Sequence, residues 1–404
     1  MQSTKMELFH LFSPVFIIIL TSLSIKSICI YFEALSSLND NSRKVRHESI
    51  RGTNDNQYRN FWVPLTKEEK SDLLDHRCDS KFQHCCVGQC RSAEHTHPNF
   101  DELLMKWTQP TATFTDVLKN IEERKVNPEK SCNLLFIGDS LTSDTAMGAA
   151  CELESAGYEL TACISKFGAN QYGKDSAIFC QNADVEVPHL SFKNDQAEFC
   201  KEVIVVYLRP TPYDEYKSKS LEQSESFKNA GYRVDLGMHQ MIKNSKFENG
   251  FITIFNWGVH CNEPENSGLE CMRETIENSF VPFVNDETFS HWTFLYSEHE
   301  PQHFQSEGGI YVDNGTENQS CIDTRGKANN WRNEEAAVIL KDSNLIDKVP
   351  IIKIFDKIEP LSGGHCSQLN DCVHYAYNPY RLQVTWDALL DALKQSPISE
   401  NSVS

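Results

Sequence analysis

The sequence predicts an α/β fold, a three-layer α/β/α sandwich built on a mainly parallel sheet. Short apolar runs recur along the chain, and most are continuous rather than alternating, which is typical of parallel strands buried on both faces. Helical stretches lie between some of these runs, as expected when helices cover a sheet. At 404 residues the chain has room for a tail and one large domain, or for two small ones. The predicted strands are Leu134–Ile137, Glu202–Leu208, Phe251–Phe255, Thr293–Tyr296 and Pro350–Phe355.

The predicted helices separate these strands and close the domain. Small and helix-favouring residues predict one helix from Leu141 to about Ser155. Apolar residues recur at helical spacing between Leu382 and Leu393, which indicates a packed closing helix. No glycine pattern of a dinucleotide site or a P-loop is present in the sequence. The other helices are predicted over Phe100–Trp107, Thr113–Glu123, Met272–Phe280 and Asn333–Asp342.

The amino-terminal segment predicts a membrane anchor. An apolar run from Leu8 to Ile25 follows Lys5, and its length fits a cleaved signal peptide or a single spanning segment. Because no small-x-small cleavage site follows, an uncleaved signal anchor over residues 1–35 is favoured over a signal peptide or a buried core helix. A polar stem over residues 36–75, a folded domain over 76–395 and a disordered tail over 396–404 complete the predicted organisation.

Cysteine usage indicates export. Of the 15 cysteines, Cys29 lies in the apolar segment and the other 14 follow it. An even number beyond a membrane indicates disulfides and an oxidising compartment. Glycosylation sequons at Asn314 and Asn318 support the same compartment. A tight cluster between Cys78 and His97 fits a zinc site or a disulfide-stapled entrance to the domain, and an oxidising lumen favours the disulfides.

The charge of the chain limits its partners. The formal net charge of −19 at pH 7 argues against a nucleic-acid partner, because phosphate binding needs a basic face. It also disfavours a strongly anionic substrate unless the site is locally basic. The composition is otherwise that of an ordinary globular protein, with 40% hydrophobic and 24% charged residues.

The first candidate functional residue is Ser140. The strand Leu134–Ile137 is closed by Gly138 and a helix follows, so Ser140 is expected at the carboxyl end of a strand, on the turn into a helix. Open α/β sheets carry their reacting groups there, and the N–H groups of a helix N-terminus favour negative charge. Asp139 and Ser140 are also ordinary helix N-caps, which is the alternative interpretation.

A second constellation near the carboxyl terminus contains Asp371 and His374. On a helical turn these two residues would lie on one side, where the carboxylate orients the imidazole. The segment follows the last predicted strand, and the strand ends of a parallel sheet lie side by side, so we expect Ser140 and His374 to meet. A serine hydroxyl becomes a nucleophile when a base takes its proton. His374 is the candidate base and Asp371 its partner; a loop aspartate beside a surface histidine is the alternative.

Acyl transfer also needs donors for a developing oxyanion. The N–H of Ser140 is one candidate, and Gly168 and the side chain of Asn256 are others, each following a strand or turn signal. Loss of such a donor typically costs about 3–4 kcal/mol of transition-state stabilisation. Turn formation is the alternative role for Asn256.

Together these stretches resemble the GDSL/SGNH-like PC-esterase superfamily, which includes the trichome-birefringence-like polysaccharide O-acetyltransferases of plant Golgi membranes. The resemblance covers roughly residues 76–395. The stretches are Gly138-Asp139-Ser140, Asp371-x-x-His374-Tyr375, Asn256-Trp-Gly-Val-His260, similar to an Asn-x-Gly block, and Glu300-Pro-Gln-His303-Phe, similar to a Ser/Pro-x-His-Phe block.

The resemblance implies an SGNH-hydrolase-like fold and a triad of Ser140 as nucleophile with Asp371 and His374 as its partners. It implies an O-acetyl ester as the group handled, with no metal and no tightly bound cofactor. Asp139, His260 and His303 are candidates for contact with substrate. The tryptophan-rich context of land-plant members is not evident, so the polysaccharide acceptor is not carried over.

The expected activity is a lumenal O-acetyltransferase that passes an acetyl group through an acyl-serine to a glycan hydroxyl. The alternatives are a carbohydrate O-acetylesterase with the same residues and a catalytically silent glycan-binding protein. The expected partners are a glycan or polysaccharide acceptor, an acetyl donor or a membrane protein that supplies it, and a membrane through the anchor. The expected location is the Golgi or another secretory-pathway membrane, in single-pass type II orientation, with secretion as the alternative.

Overall fold

The computed structural model describes 58–69, 105–125, 130–165, 181–182, 189–208, 250–259, 261, 267–306, 309–310, 321–324, 327–365, 372–375 and 378–396. All of these belong to one unit of the chain, Asn56–Ser404. The predicted anchor, the cluster between Cys78 and His97 and both sequons lie outside the described residues. Within the described part of the chain, no helix has the length and apolar character needed to span a bilayer.

A mostly parallel sheet of eight strands organises the described residues. Its strand order is β10-β9-β8-β3-β7-β6-β4-β5, and β1 pairs with β2 in a separate antiparallel ribbon. The strands are β1 (Trp62–Pro64), β2 (Met105–Trp107), β3 (Cys132–Gly138), β4 (Glu159–Ser165), β5 (Gln181–Asn182), β6 (His189–Lys193), β7 (Glu202–Leu208), β8 (Ile252–Asn256), β9 (Thr293–Ser297) and β10 (Ile351–Ile352).

Strand β3 is central and completely buried, and it pairs in parallel with β7 on one side and with β8 on the other. Strands β9 and β10 extend the parallel part beyond β8. The pairs β7/β6 and β6/β4 are antiparallel. The chain therefore builds one side of the sheet after β3 and the other side from β8 onward. Such a reversal of strand order opens a crevice at the carboxyl ends of the strands, where α/β proteins bind ligands.

Helices connect the strands, and side-chain hydrogen bonds cap the N-termini of some of them. Thr113 and Asp116 form a capping box at the first helix, and Asn378 caps the last, with Pro379 as its first residue. A π-helical turn, Ile276–Phe280, follows the third helix. The helices are α1 (Phe114–Glu123), α2 (Ser140–Ser155), α3 (Ser267–Thr275), α4 (Val281–Asn285), α5 (Trp331–Asp342), α6 (Phe355–Ile358) and α7 (Pro379–Gln395).

Two hydrophobic cores lie against the sheet. Leu134 and Phe136 of β3 belong to the first core, whereas Leu135 and Ile137 belong to the second. Because successive side chains of a strand point to opposite faces, the two cores lie on opposite faces of β3. Helices α1, α2 and α7 contribute to the first core, and α3, α4 and α5 contribute to the second.

Three disulfides crosslink the described residues, as the cysteine count predicts. They join Cys132 to Cys200, Cys261 to Cys271, and Cys321 to Cys372. The first closes a loop of 68 positions between β3 and the start of β7, and the third ties a connecting segment to the region of His374. Disulfides that close loops of this length constrain the unfolded chain.

Two sequence predictions are wrong at the level of secondary structure. The stretch Phe100–Trp107 was expected to be helical, but its described part, Met105–Trp107, pairs as a strand with Trp62–Pro64. The run Pro350–Phe355 was expected to be one strand, but only Ile351–Ile352 pairs. The strand ends there because the backbone N–H groups of the next residues turn to the carboxylate of Glu298 and begin α6.

Candidate active site

The structure brings the side chains of Ser140 and His374 together. Ser140 Oγ lies 2.7 Å from His374 Nε2, although 234 positions separate the residues. Ser140 is the first residue of α2, directly after β3, and both side chains are partly accessible to solvent. A hydroxyl within hydrogen-bond distance of an imidazole is the arrangement in which the imidazole can take the hydroxyl proton.

Gly138 allows the close approach of strand β8 and helix α2. A Cβ at this position would collide with the carbonyl oxygen of Asn256 and with the side chain of Thr142. The Thr142 hydroxyl donates to the same carbonyl oxygen at 3.3 Å. A residue without a side chain is therefore required before the turn that carries Ser140.

Asp139 is fully buried and acts as a clamp between two strand ends. Its Oδ1 accepts from the N–H of Leu141, which caps α2, at 3.1 Å. Its Oδ2 accepts from the N–H groups of Gly258 and Val259 at 3.2 and 3.0 Å. With 0% of its surface exposed, this carboxylate fixes the turn beside Ser140. In this conformation it does not offer the contact with substrate that the resemblance implies.

The segment after β8 is also held by Arg332 of α5. Arg332 donates to the carbonyl oxygens of Gly258 at 2.7 Å and Cys261 at 3.0 Å. Burial lowers the pKa of Arg332 to about 10, while the nearby Asp139 carboxylate acts in the opposite direction. The guanidinium therefore remains charged at neutral pH and balances the buried carboxylate.

Tyr207 supports the turn from β7, the other neighbour of β3. Its hydroxyl donates to the carbonyl oxygens of Gly138 and Asp139 at 3.2 and 3.0 Å. Both neighbouring strands thus contribute polar groups to the backbone that positions Ser140.

Asn256 forms a buried bridge between strand ends. Its Nδ2 donates to the carbonyl oxygen of Ser297 at 2.9 Å, and its Oδ1 lies 3.5 Å from the Thr142 hydroxyl. Only 5% of Asn256 is exposed. These contacts connect strand ends and differ from the turn formation that was the alternative role; the role of Asn256 as an oxyanion donor stays a prediction.

His374 lies on an irregular segment that is held at several points. The predicted helical turn is absent from its described part, because Cys372–His374 is bent and Tyr375 forms a lone antiparallel bridge with His365. The Cys321–Cys372 disulfide anchors the segment covalently. The N–H of His303 donates to the carbonyl oxygen of Cys372 at 3.1 Å.

His303 is completely buried beneath this segment. Its ring contacts the His365 ring, with His303 Nδ1 2.6 Å from His365 Nε2, and its Nε2 lies 2.8 Å from the carbonyl oxygen of Glu359. With 0% exposure and both ring nitrogens engaged, His303 does not reach a substrate in this conformation. The structure places it in support of the His374 segment.

A buried ion pair lies behind the same segment. Arg381 Nη1 donates to Glu300 Oε1, and both residues are at most 7% exposed. The Arg381 guanidinium lies 5.3 Å from the ring centroid of Tyr375, whose hydroxyl donates to the Pro301 carbonyl oxygen at 3.2 Å. Burial raises the pKa of Glu300, and the charge of Arg381 and its hydrogen bond to Glu300 oppose this rise.

One group of potential metal ligands occurs among the described residues, namely Glu122, Cys132 and Cys200. The two sulfur atoms form a disulfide, so they are not thiolate ligands. The N–H of Cys200 donates to a carboxylate oxygen of Glu122 at 2.8 Å, which explains why this carboxylate lies beside the disulfide.

Three predicted site residues, Asp371, Gly168 and His260, lie outside the described residues. Sequence reasoning also missed several residues that shape the site: Tyr207, Gly258, Arg332, His365 and Arg381. Of these residues, Gly258 was the easiest to identify from the sequence, because it is the glycine of the Asn-x-Gly block that begins at Asn256. Arg332 lies directly before the predicted helix Asn333–Asp342, and nothing in the sequence there indicates that the guanidinium turns inward.

The site combines a serine hydroxyl, an imidazole and a helix N-terminus at the carboxyl ends of central strands. Ser140 is the first residue of α2, so its N–H has no acceptor within its own helix and can face a developing negative charge. The arrangement can carry out nucleophilic acyl chemistry. No family model matches this chain, and no curated protein sequence matches it.

Proposed function

We propose that this protein is a serine acyltransferase that moves an acetyl group to a glycan hydroxyl through an acyl-serine intermediate. The observation that carries the proposal is the 2.7 Å hydrogen bond between Ser140 Oγ and His374 Nε2. The acetyl group and the glycan acceptor rest on the resemblance of the four motif stretches to the PC-esterase superfamily.

The reaction follows from this pair in two steps. His374 takes the Ser140 proton as Oγ attacks the carbonyl carbon of an acetyl ester, and it then gives that proton to the leaving oxygen. In the second step His374 takes the proton of a sugar hydroxyl, whose oxygen attacks the acyl-serine. The proton returns to Ser140, and the acetylated sugar leaves. No tightly bound cofactor or metal takes part in this scheme.

The proposal assigns the remaining roles to residues around the pair. Asp371 orients His374 and stabilises the imidazolium that forms in each step. The N–H of Ser140, Gly168 and the Asn256 side chain supply the oxyanion donors. His260 contacts the acceptor.

The proposed fold is a three-layer α/β/α sandwich of the SGNH-hydrolase type. The two cores on opposite faces of β3 and the position of Ser140 at the switch in strand order support this assignment. The family proposed is the GDSL/SGNH-like PC-esterase superfamily, near the trichome-birefringence-like O-acetyltransferases.

The proposed location is the lumen of the Golgi or a related secretory compartment, with the chain anchored through residues 1–35. The three disulfides support an oxidising compartment. A polysaccharide or glycan is the proposed acceptor. The donor is an acetyl ester, free or presented by a membrane protein.

The test uses the full-length chain, acetylated p-nitrophenol as donor, and xylo- and cello-oligosaccharides as acceptors. Mass spectrometry of peptides from quenched reactions is expected to find an acetyl group on Ser140 and on the sugar. Ser140→Ala abolishes both, whereas Ser143→Ala, on the same helical turn, retains them. Full activity in Ser140→Ala contradicts the mechanism.

The same experiment separates the alternatives. Release of free acetate with no acetylated sugar identifies an acetylesterase, because water rather than a sugar then resolves the acyl-serine. Sugar binding without turnover in the wild-type protein identifies a glycan-binding protein that keeps the fold.

A further inference from the structure

Two buried histidines form a chain of hydrogen bonds that ends on the backbone of His374. His303 Nδ1 and His365 Nε2 are 2.6 Å apart, and the residues are 0% and 4% exposed. The outer nitrogen of each ring faces a carbonyl oxygen. His303 Nε2 lies 2.8 Å from the oxygen of Glu359, and His365 Nδ1 lies 3.1 Å from the oxygen of His374.

The number of protons in this chain is fixed by its acceptors. A carbonyl oxygen can only accept, so each outer nitrogen must carry a hydrogen. The contact between the two inner nitrogens needs one hydrogen between them. Three hydrogens are therefore required on two rings, whereas two neutral imidazoles carry only two in total.

We propose that His303 and His365 form a buried imidazole–imidazolium pair, and that the charged His365 is a positioning residue that fixes the backbone of His374. The protonation state of the pair is independent of the proposed function. The positioning role rests on that function, because it requires His374 to act as the base.

The surroundings of the two rings favour a charge on His365 rather than on His303. The ring centroids of His365 and Tyr375 are 3.9 Å apart at an interplanar angle of 35°, so the aromatic face lies beside the proposed cation. Burial lowers the pKa of His303 to about 4, and both rings are almost completely buried, so the aromatic contact of His365 decides which ring carries the charge. His303 then stays neutral, with its Nδ1 as the acceptor.

The charged groups described around the pair occur mainly as ion pairs. They are the carboxylates of Asp323, Glu359 and Glu300 and the guanidiniums of Arg59 and Arg381. Arg59 donates to both oxygens of Asp323 and lies 3.9 Å from Glu359, and Arg381 pairs with Glu300. At His303, the Asp323 carboxylate raises the pKa and the Arg59 guanidinium lowers it. The Tyr375 hydroxyl, 3.5 Å from His303 Nδ1, donates to the Pro301 carbonyl oxygen and brings no charge.

Loss of the third proton breaks this chain at one point. One ring nitrogen then carries a lone pair instead of a hydrogen. That lone pair faces either a carbonyl oxygen or the lone pair of the other ring, and the contact is lost in both cases. The longest contact is the one between His365 Nδ1 and the His374 oxygen, so it is the one expected to open. The Ser140–His374 hydrogen bond depends on the same backbone, and activity is therefore expected to decline on the alkaline side.

The protonation state is tested by NMR on the full-length chain labelled with ¹⁵N-histidine. At pH 7.5, about one pH unit above the ordinary histidine pKa, His365 is expected to show two protonated ring nitrogens. His303 is expected to show one protonated nitrogen and one lone-pair nitrogen. Each signal is assigned by its loss in His365→Gln or His303→Gln. Two neutral rings overturn the proposal, whether or not the protein transfers acetyl groups.

The positioning role is tested by the pH dependence of kcat. His365→Gln is expected to lower kcat by about 10- to 100-fold with KM within about twofold, and to remove the alkaline decline. His303→Gln retains an acceptor for His365 and a donor for the Glu359 oxygen, and is expected to keep most of the activity. His291→Gln, at the opposite end of β9, is the matched control.

A folded His365→Gln protein with wild-type kcat and an unchanged alkaline decline overturns the positioning role. Near-ultraviolet circular dichroism checks that each variant is folded. If His365→Gln does not fold, a loss of kcat of about 10-fold or more in a folded His303→Gln protein counts against the proposal. Absence of activity in the wild type removes the proposed function and leaves the NMR result as the test of the pair.

Discussion

Asp139 and Gly258 are 119 positions apart in the chain and are joined by a hydrogen bond of 3.2 Å between a buried carboxylate oxygen and a backbone N–H. This contact ties the residue before the candidate nucleophile to the segment after β8. The carboxylate accepts from Val259 and Leu141 as well, so a single side chain defines the geometry of two strand ends.

Replacement of Asp139 by Asn is expected to lower the free energy of unfolding by about 3 kcal/mol. The amide retains one acceptor oxygen and turns an NH₂ group toward buried N–H donors, which leaves at least one donor unsatisfied. Denaturant unfolding measures the effect. Asp286→Asn is the control, because Asp286 accepts from the N–H of Thr288 at a helix start where Asn caps equally well. If Asp139→Asn and Asp286→Asn lower the free energy of unfolding equally, the hydrogen bonds of Asp139 do not stabilise the protein as proposed.

Gly258→Ala is expected to destabilise the protein by more than 2 kcal/mol and to reduce activity. Gly258 has a φ of +141°, and a Cβ there would collide with the Met272 sulfur and approach His299 Nε2 to 3.0 Å. Gly157→Ala is the control for backbone strain alone. Its φ is also positive, at +82°, but its Cβ would meet only Asn194 at 3.6 Å. That control is expected to cost about 1–2 kcal/mol. Thermal unfolding of both variants makes the comparison, and a cost at Gly258 no greater than at Gly157 would argue against close packing of this segment.

Removal of the Cys321–Cys372 disulfide is expected to reduce kcat more than removal of Cys132–Cys200. Each paired Cys→Ser variant loses stability of about 3–5 kcal/mol, because each disulfide closes a long loop. Of these two disulfides, Cys321–Cys372 is the one that anchors the segment that carries His374. Acetyl-transfer rates measured well below the unfolding temperature of both variants separate the two effects. Equal losses of kcat would show that the disulfide does not position the base.

His303 is expected to make the protein unstable to mild acid. Its pKa is about 4 in the folded protein, against 6.5 for an ordinary histidine, because burial disfavours its charged form. In this pH range His303 binds a proton in the unfolded chain but not in the folded protein. The free energy of unfolding therefore decreases as the pH falls from 6.5 toward 4. The full difference corresponds to about 3 kcal/mol. Urea unfolding between pH 7 and 4 measures the slope, which His303→Gln is expected to reduce by one proton. If the pH dependence of the unfolding free energy is the same in His303→Gln as in the wild type, His303 is not the cause of the acid sensitivity.

The parallel part of the fold could be predicted because its strands are continuous apolar runs. Glu202–Leu208 was predicted with the observed bounds, and the α2 helix was predicted to within one residue. The antiparallel strands β4 and β6 were missed, because Glu159–Ser165 and His189–Lys193 are short and mix polar with apolar residues. The early end of β10 depends on a carboxylate more than fifty positions away, which no local pattern records.

The meeting of Ser140 and His374 was predictable because parallel strands place their carboxyl ends at one edge of a sheet. The supporting residues were not predictable in the same way. His303 lies in a motif that suggested contact with substrate, yet its ring is buried against His365, 62 positions away. The inward turn of Arg332 and the pairing of Arg381 with Glu300 are decided by tertiary packing, which helical periodicity does not specify.

The positions of Ser140 and His374 along the chain also determine when the candidate site is completed during synthesis. The ribosome makes β3 and Ser140 early in the chain and reaches His374 only after β10 and α6 have been made. A nascent polypeptide therefore carries its proposed nucleophile through most of translation without His374. Truncation after Ile352 would leave the whole parallel half of the sheet, and a serine with no base.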